Sequence, residues 1–251
     1  MAGVELSLLG SFVLTIGGRV VPVLPTAQRL IAYLAVQSRP AHRPRVAAVL
    51  WPDTPPSRAG ANLRSALWRT QRLCLHLIAA DAQHLMLDPG VVVDLRRGQR
   101  LADRLLDSGR DCADILHAGA RADLAEDLLP AWADEGWLAV EREHFRQLRL
   151  HALEALGDRL IAAGRPGEAV AAGLAAVAAE PLRESAHRAV IRAHLAAGNR
   201  WAAARQYELC RRVFREDLGL SPSAELRQLA RGAGGIDNVA WDRRAAASFG
   251  H

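Results

Sequence analysis

Apolar positions fall in short runs through the first hundred residues and then recur every three to four residues through most of the remainder. Val4–Leu9 and Phe12–Ile16 are such runs around Gly10-Ser11, and Gly17-Gly18 supplies a turn into a third, Val20–Leu24. Together they predict a small antiparallel sheet. Pro25 or Thr26 opens a helix that places Leu30, Ile31, Leu34 and Ala35 on one face and ends by Ser38-Arg39-Pro40. Pro44 suits the first position of a short second helix, Arg45–Leu50, because its missing N–H is an orphan there in any case. Pro52 and Pro55-Pro56 close that helix and turn the chain into a long one over 57–76. Gln83–Leu87 and Val91–Leu95 flank Asp88-Pro89-Gly90 and predict a hairpin. Strands, three helices and a hairpin are the parts of a helix-turn-helix with a wing.

From about residue 97 strand signals stop and alanine becomes frequent. Segments 98–107, 111–128, 132–163, 167–180, 184–197, 200–217 and 222–231 read as helices, broken at glycine, proline and asparagine. Leu156-Gly157, Leu160, Gly164, Ala169, Ala176 and Pro181 have the spacing of a helix-turn-helix repeat of about 34 residues. A shift of that length carries Gly164 onto Gly198 and Ala169 onto Ala203, while Leu160 meets His194. Small residues stand where paired helices must approach closely, and glycine where the chain reverses. The pattern resembles the tetratricopeptide repeat, with two clear units and a degenerate third expected over 111–147. Gly173 departs from it, standing where an aromatic is usual; Tyr207 keeps that position in the next unit. The fold class expected is therefore mainly α with a small β component. An N-terminal winged helix-turn-helix domain over 1–96 is followed by an all-α tetratricopeptide-like domain over 97–231 and a flexible tail over 232–251.

The helix at 57–76 carries the most information about function. One stripe is apolar or small: Leu63, Ala66, Leu67, Thr70, Leu73, Cys74 and Leu77. Opposite it runs Arg58, Asn62, Ser65, Arg69 and Arg72, with Arg64, Trp68 and Gln71 on the flank. No acid occurs between Asp53 and Asp81. A solvated helix usually mixes charge signs to gain i,i+4 pairs, so a face without a carboxylate suits a polyanion. Arginine forks onto guanine edges or phosphate and asparagine pairs with adenine. A plain surface helix in an arginine-rich chain is the alternative. Trp68 is expected to pack against the wing, with a place on a sugar-phosphate edge as the alternative.

Charge distribution sharpens this reading. Every basic residue is an arginine; residues 1–100 hold 12 of them against 5 acids, and residues 101–251 hold 20 against 22. A basic first part joined to a near-neutral second suggests that the first meets nucleic acid. No apolar run approaches membrane-spanning length and no signal peptide is visible, so a soluble cytoplasmic protein without membrane association is expected. Cys74, Cys112 and Cys210 form no CxxC pair and fit neither a disulfide framework nor a zinc site. His187 and His194, seven apart on one helix face, read as interior residues. Asp123, Glu126, Asp127, Asp134 and Glu135 form acidic patches that are either solvated or meet a basic partner. No nucleophile and base constellation stands out, so an enzyme is not expected, and no cofactor or metal is expected.

The two halves together resemble one family, the Streptomyces antibiotic regulatory proteins, in which an OmpR-type winged helix precedes a bacterial transcriptional activator domain. The resemblance is carried by Leu8-Leu9-Gly10-Ser11-Phe12, by the run Arg45 to Asp53 and by Arg58-Ala59 with the run Asn62 to Arg69. In the second half Trp137-Leu138, Glu141-Arg142, Leu156-Gly157, the run Glu184 to Arg188, the run Tyr207 to Cys210 and the run Glu216 to Pro222 carry it. It implies an activator of a secondary-metabolite gene cluster, bound to direct repeats in promoter DNA as cooperating copies. It also implies contact with the sigma or alpha subunits of RNA polymerase, self-association on DNA and a nucleoid location. Larger relatives append a nucleotide-binding module; with no lysine this chain has no GxxxxGK[ST] loop. Thr70-Gln71 stands where the family's recognition helix often continues with Leu-Arg, and the Asp88-Pro89-Gly90 turn lacks a basic residue for a wing contact. By their place on the central face of the helix Asn62, Ser65 and Arg69 are assigned to base edges, and Arg58, Arg64 and Arg72 to phosphate. Arg43 and Arg45, at the start of the second helix, are assigned to phosphate, with a solvated basic turn as the alternative.

Overall fold

The computed structural model describes residues 3–232 apart from 38, 75, 108, 110–112 and 117–120. Cys112 and the tail expected beyond Gly232 lie outside the described residues. The described residues form two compact units, one within 3–103 and 122–149 and one within 104–121 and 150–232.

In the first unit the order is β1 (Val4–Ser7), β2 (Val13–Ile16), β3 (Arg19–Val21), α1 (Pro25–Val36), β4 (Ala41–His42), α2 (Arg43–Leu50), α3 (Pro56–Leu73), β5 (Ile78–Ala80), β6 (His84–Leu87), β7 (Val92–Val93) and α4 (Asp94–Leu106). β3, β2, β1 and β7 make one sheet in that order, with β1 and β2 antiparallel and β7 parallel to β1. β4, β6 and β5 make the second. Leu6, Leu8 and Leu14 from the first sheet meet Leu30, Ile31 and Leu34 of α1, Val46 and Leu50 of α2, Leu63 and Leu67 of α3, and Leu85 and Leu87 of β6 in one core. Asp94, at the start of α4, ties the sheet to that helix: its carboxylate accepts from the Leu8 and Leu9 amides at 2.9–3.1 Å and from its neighbour Leu95 at 2.7 Å. Burial nonetheless holds its pKa above the ordinary carboxylate value.

The structure corrects two expectations. The hairpin expected around Asp88-Pro89-Gly90 does not form. β6 pairs instead with β5 upstream, Ile78 opposite Leu87 and Ala80 opposite Leu85. Val92 and Val93 leave for the other sheet, opposite Glu5 and Leu6. Ile-Ala-Ala carries little strand signal, and pairing between distant segments decides the matter. The turn is set by Asp81, whose Oδ1 accepts from the Gln83 and His84 amides at 2.7 Å each; those two bonds hold its carboxyl below the usual range.

The second correction concerns the helices expected over 111–128 and from 132. Residues 123–135 are irregular, and the next long helix, α5 (Ala139–Ala162), follows a 3₁₀ turn over Gly136–Leu138. The segment belongs to the first unit, and over 123–135 no repeat helix forms. Leu9 bridges to Leu128, Gly10 donates to the Asp127 carbonyl, and Leu129 donates to that of Leu8. Leu128, Leu129, Leu138 and Phe145 enter the first core; Trp132 stacks on Phe12 and Trp137 meets Tyr33 edge-on. The acidic patches are largely internal ion pairs: Asp123 with Arg97 at 2.7 Å, Asp127 with Arg149 at 2.7 Å, and Glu135 with Arg29 at 2.9 Å. Glu135 also accepts from the Trp137 indole.

The second unit carries the repeat. The end of α5 is followed by α6 (Pro166–Ala179), α7 (Glu184–Ala196), α8 (Arg200–Leu218) and α9 (Ala224–Gly232). Gly164 and Gly198 both adopt φ +72°, a conformation that glycine reaches without a Cβ penalty. Their helix ends are closed by the same bonds one period apart: Gly164 to Ile161 and Arg165 to Leu160, then Gly198 to Leu195 and Asn199 to His194. Ala169 and Ala203 are buried at matching positions.

His187 is interior, as its spacing predicted. Its Nε2 lies 2.9 Å from the Pro181 carbonyl and its Nδ1 2.9 Å from the Gln206 side-chain nitrogen. The carbonyl can only accept, so Nε2 carries the proton and Nδ1 accepts from Gln206. Burial lowers its pKa, only partly offset by Pro181 and Glu184. Above the unfolded value of about 6.5 the group is neutral in both states; below it the unfolded chain takes a proton that the folded chain refuses. Stability is therefore expected to fall with pH below about 6.5, at most by about 1.4 kcal/mol per pH unit from this group. Urea unfolding of wild type and His187→Gln at pH 7.5 and 5.5 tests this; equal pH slopes for the two proteins would refute it.

Candidate nucleic-acid interface

α3 takes its form from its sequence. Pro55 and Pro56 set its start, and the Thr70 hydroxyl turns back onto the Ala66 carbonyl at 2.9 Å instead of seeking a partner in the core. Ala59, Leu63, Ala66, Leu67 and Thr70 are buried. The helix ends at Leu73, three residues before the boundary read from periodicity, because Cys74 is extended.

Arg58, Arg64, Ser65, Arg69 and Arg72 are exposed on α3, and Asn62 is half-buried. The six proposed contacts on this helix therefore share one solvent side. Arg69 is oriented by Thr26 at the start of α1, its Nη1 donating to the hydroxyl at 3.1 Å. Arg43 and Arg45 stand apart, in the first turn of α2. Arg45 is exposed, whereas the Arg43 guanidinium donates from Nε to the Asp81 carbonyl at 3.0 Å and its amide to Gln83. Arg43 thus fastens the hairpin turn to the helix-turn-helix. His42 and His84 are direct cross-strand partners on β4 and β6, with ring centroids 5.5 Å apart.

Trp68 does not pack against the wing. It is 57% exposed, and the Arg72 guanidinium lies over its ring at 4.9 Å. The sequence pattern puts it on a flank because the faces are then measured from the basic residues. Measured from the buried residues, the outward line of the helix runs elsewhere. At about 100° per residue, Ala61, Ser65, Trp68 and Arg72 fall within about 40° of the line opposite the buried positions. Asn62, Arg69 and Arg58 then form one shoulder, and Arg64 and Gln71 the other. The role of Thr26 has no signal in the sequence, since it depends on where α1 meets α3.

Among the described residues no group of three or more His, Cys, Asp or Glu could hold a metal ion. No described helix is long and apolar enough to cross a membrane. Burial pushes the Cys210 thiol up to about 12, leaving it inert as a nucleophile.

A basic helix set in a helix-turn-helix with a hairpin, joined to paired-helix repeats, defines the layout of a bacterial transcription regulator. Residues 93–232 match the family model of the bacterial transcriptional activator domain, and the chain belongs to that family. It is 29% identical over 223 residues to the regulatory protein AfsR of Streptomyces coelicolor and 27% over 209 residues to that of Streptomyces griseus. Each match covers 80% of this chain and 21% of the relative. The chain thus spans about a fifth of the length of the curated relatives it matches. A solved structure of Mycobacterium tuberculosis EmbR in complex with a low affinity phosphopeptide shares the fold with a TM-score of 0.70 at 22% identity. That likeness covers 93% of this chain and 65% of the other. These matches bear out the resemblance to the Streptomyces antibiotic regulatory proteins, a class of transcriptional regulators and not of enzymes.

Proposed function

We propose that the protein is a sequence-specific DNA-binding transcriptional activator of a secondary-metabolite gene cluster. It reads direct repeats in promoter DNA through α3 and recruits RNA polymerase through the sigma or alpha subunits. Residues 1–96 serve as the DNA-binding domain and 97–231 as the activator domain, with copies associating side by side on adjacent repeats. The observation that supports this most is the outer face of α3: an exposed, arginine-rich surface without a carboxylate, on the third helix of a winged helix-turn-helix. Arg69, with Asn62 and Ser65 on the same side, reads base edges; Arg58, Arg64, Arg72, Arg43 and Arg45 hold phosphates and set the register.

Binding of the purified chain to promoter DNA from its own gene neighbourhood, against scrambled DNA at two salt concentrations, tests this reading. Arg69→Ala is expected to cost about 1–3 kcal/mol of specific binding and to relax preference at one base position. Equal losses on both DNAs would make it a phosphate contact only. Arg64→Ala is expected to weaken all sequences alike and to lower the salt slope by about one unit. An interaction scaffold built on the repeats would bind both DNAs equally and weakly.

A further inference from the structure

We propose that Trp68 is a DNA-contacting residue, and that its indole is the platform that presents Arg72 to the phosphate backbone. The proposal rests on the DNA-binding reading above and adds an uncharged contact to it. Three observations carry it. Trp68 lies close to the outward line of α3, the part of a groove-entering helix that comes nearest the duplex. It is the largest side chain on that face and is 57% exposed. And Arg72 stacks on it, so one face of the indole holds a guanidinium in place while the edge stays free for an apolar surface of DNA, deoxyribose or a thymine methyl group.

The surroundings select DNA as the occupant. Arg58, Arg64, Arg69 and Arg72 are exposed on the same helix, with no acid between Asp53 and Asp81 to meet a basic or mixed protein surface. The second unit supplies a contrast. Trp201 is 60% exposed and carries Arg205 over its ring at 5.4 Å, the same local arrangement. Its helix, however, also bears Glu208, Glu216 and Asp217. The stacked pair alone does not make a DNA surface; the uncompensated positive charge around it does.

The test uses the full chain and a labelled promoter duplex, with Trp68→Ala, Arg72→Ala, the double variant and Trp201→Ala, each at two salt concentrations. Trp68→Ala is expected to weaken specific binding about five- to tenfold and to lower the salt slope by less than Arg72→Ala does, because the indole releases no counterion itself and acts on the slope only through Arg72. Arg72→Ala is expected to lower the slope by about one unit. The double variant should lose less than the product of the two single effects, since Arg72 has lost its platform in one of them. Trp201→Ala should bind as wild type does. Replacing thymine by uracil in the duplex distinguishes the two apolar surfaces: a loss seen in wild type but not in Trp68→Ala assigns the methyl group, and no loss assigns the sugar. Thermal melts verify folding, with Trp68→Gln as the second variant should the alanine form melt early. Selective wild-type binding that persists undiminished in both Trp68 variants would overturn this proposal and leave the DNA-binding reading intact. Strictly multiplicative losses would overturn the platform role. A wild-type chain without selectivity would overturn the DNA-binding reading and this one with it.

Discussion

Arg149→Met is expected to destabilise the protein by about 3–5 kcal/mol. Arg149 is 2% exposed. Its Nε and Nη2 donate to the Asp127 carboxylate at 3.0 and 2.7 Å, and its Nη1 donates to the carbonyls of Leu124 and Ala125 at 3.2 and 3.0 Å. Methionine fills most of the volume but leaves a carboxylate and two carbonyls without their donor. The cost of breaking such a pair lies mainly in the groups left behind, so the Arg149→Met, Asp127→Asn double variant should recover part of the loss. Urea unfolding measures both. A loss below about 1 kcal/mol for the single variant would show that water replaces the guanidinium at little cost. Because Arg149 anchors the irregular segment that packs on β1, the variant should unfold at lower urea while retaining DNA affinity where it remains folded.

Gly173→Val is expected to cost about 2–3 kcal/mol, and Gly173→Ala to be destabilising as well. A Cβ at this position would stand 2.8 Å from Val190 Cγ2, 3.1 Å from the Val190 amide nitrogen and 3.3 Å from its Cα. Helix propensity favours alanine over glycine by about 1 kcal/mol, so a net loss on Gly173→Ala would measure the closeness of α6 and α7 directly. Gly157 is the control. A Cβ there meets its nearest atom, the Ala169 carbonyl oxygen, at 3.8 Å, an ordinary contact. Gly157→Ala should therefore stabilise by about 0.5–1 kcal/mol. Thermal melts of the three variants decide it, and a stabilised Gly173→Ala would refute the account of α6 and α7 packing. The absence of an aromatic at Gly173, which departs from the repeat pattern, follows from the same contact: the neighbouring helix occupies the space.

Much of this was legible in the chain. α1, α2 and α3 declare themselves through prolines at their starts and through apolar residues every three to four positions, all local signals. The two repeat units were legible because glycine must stand at each reversal and alanine at each close approach; Gly164 with Gly198 and Ala169 with Ala203 hold those places in the structure. The basic face of α3 was legible because charge is a property of composition and spacing. The wing and the segment 123–135 were not legible. Ile78-Ala79-Ala80 is a strand because β6 pairs with it, not because of its own residues. Residues 123–135 contain helix-forming residues, yet hydrogen bonds to Leu8 and Gly10 and the burial of Leu128 and Leu129 outweigh that preference.

The same division runs through the interface. By itself the sequence determined that one helix is basic and free of acid, that it belongs to a helix-turn-helix, and which arginines it carries. Those facts follow from residue identity and a period of 3.6. Only the tertiary structure decided which line of that helix faces outward, because the outward direction is set by what the core buries on the other side. That is why Trp68 moved from a packed flank to the exposed face, why Arg69 leans on Thr26 from another helix, and why Arg43 is fastened to the hairpin turn at Asp81. Contacts between residues far apart in the chain have no periodic signature, and they set the direction in which each side chain points.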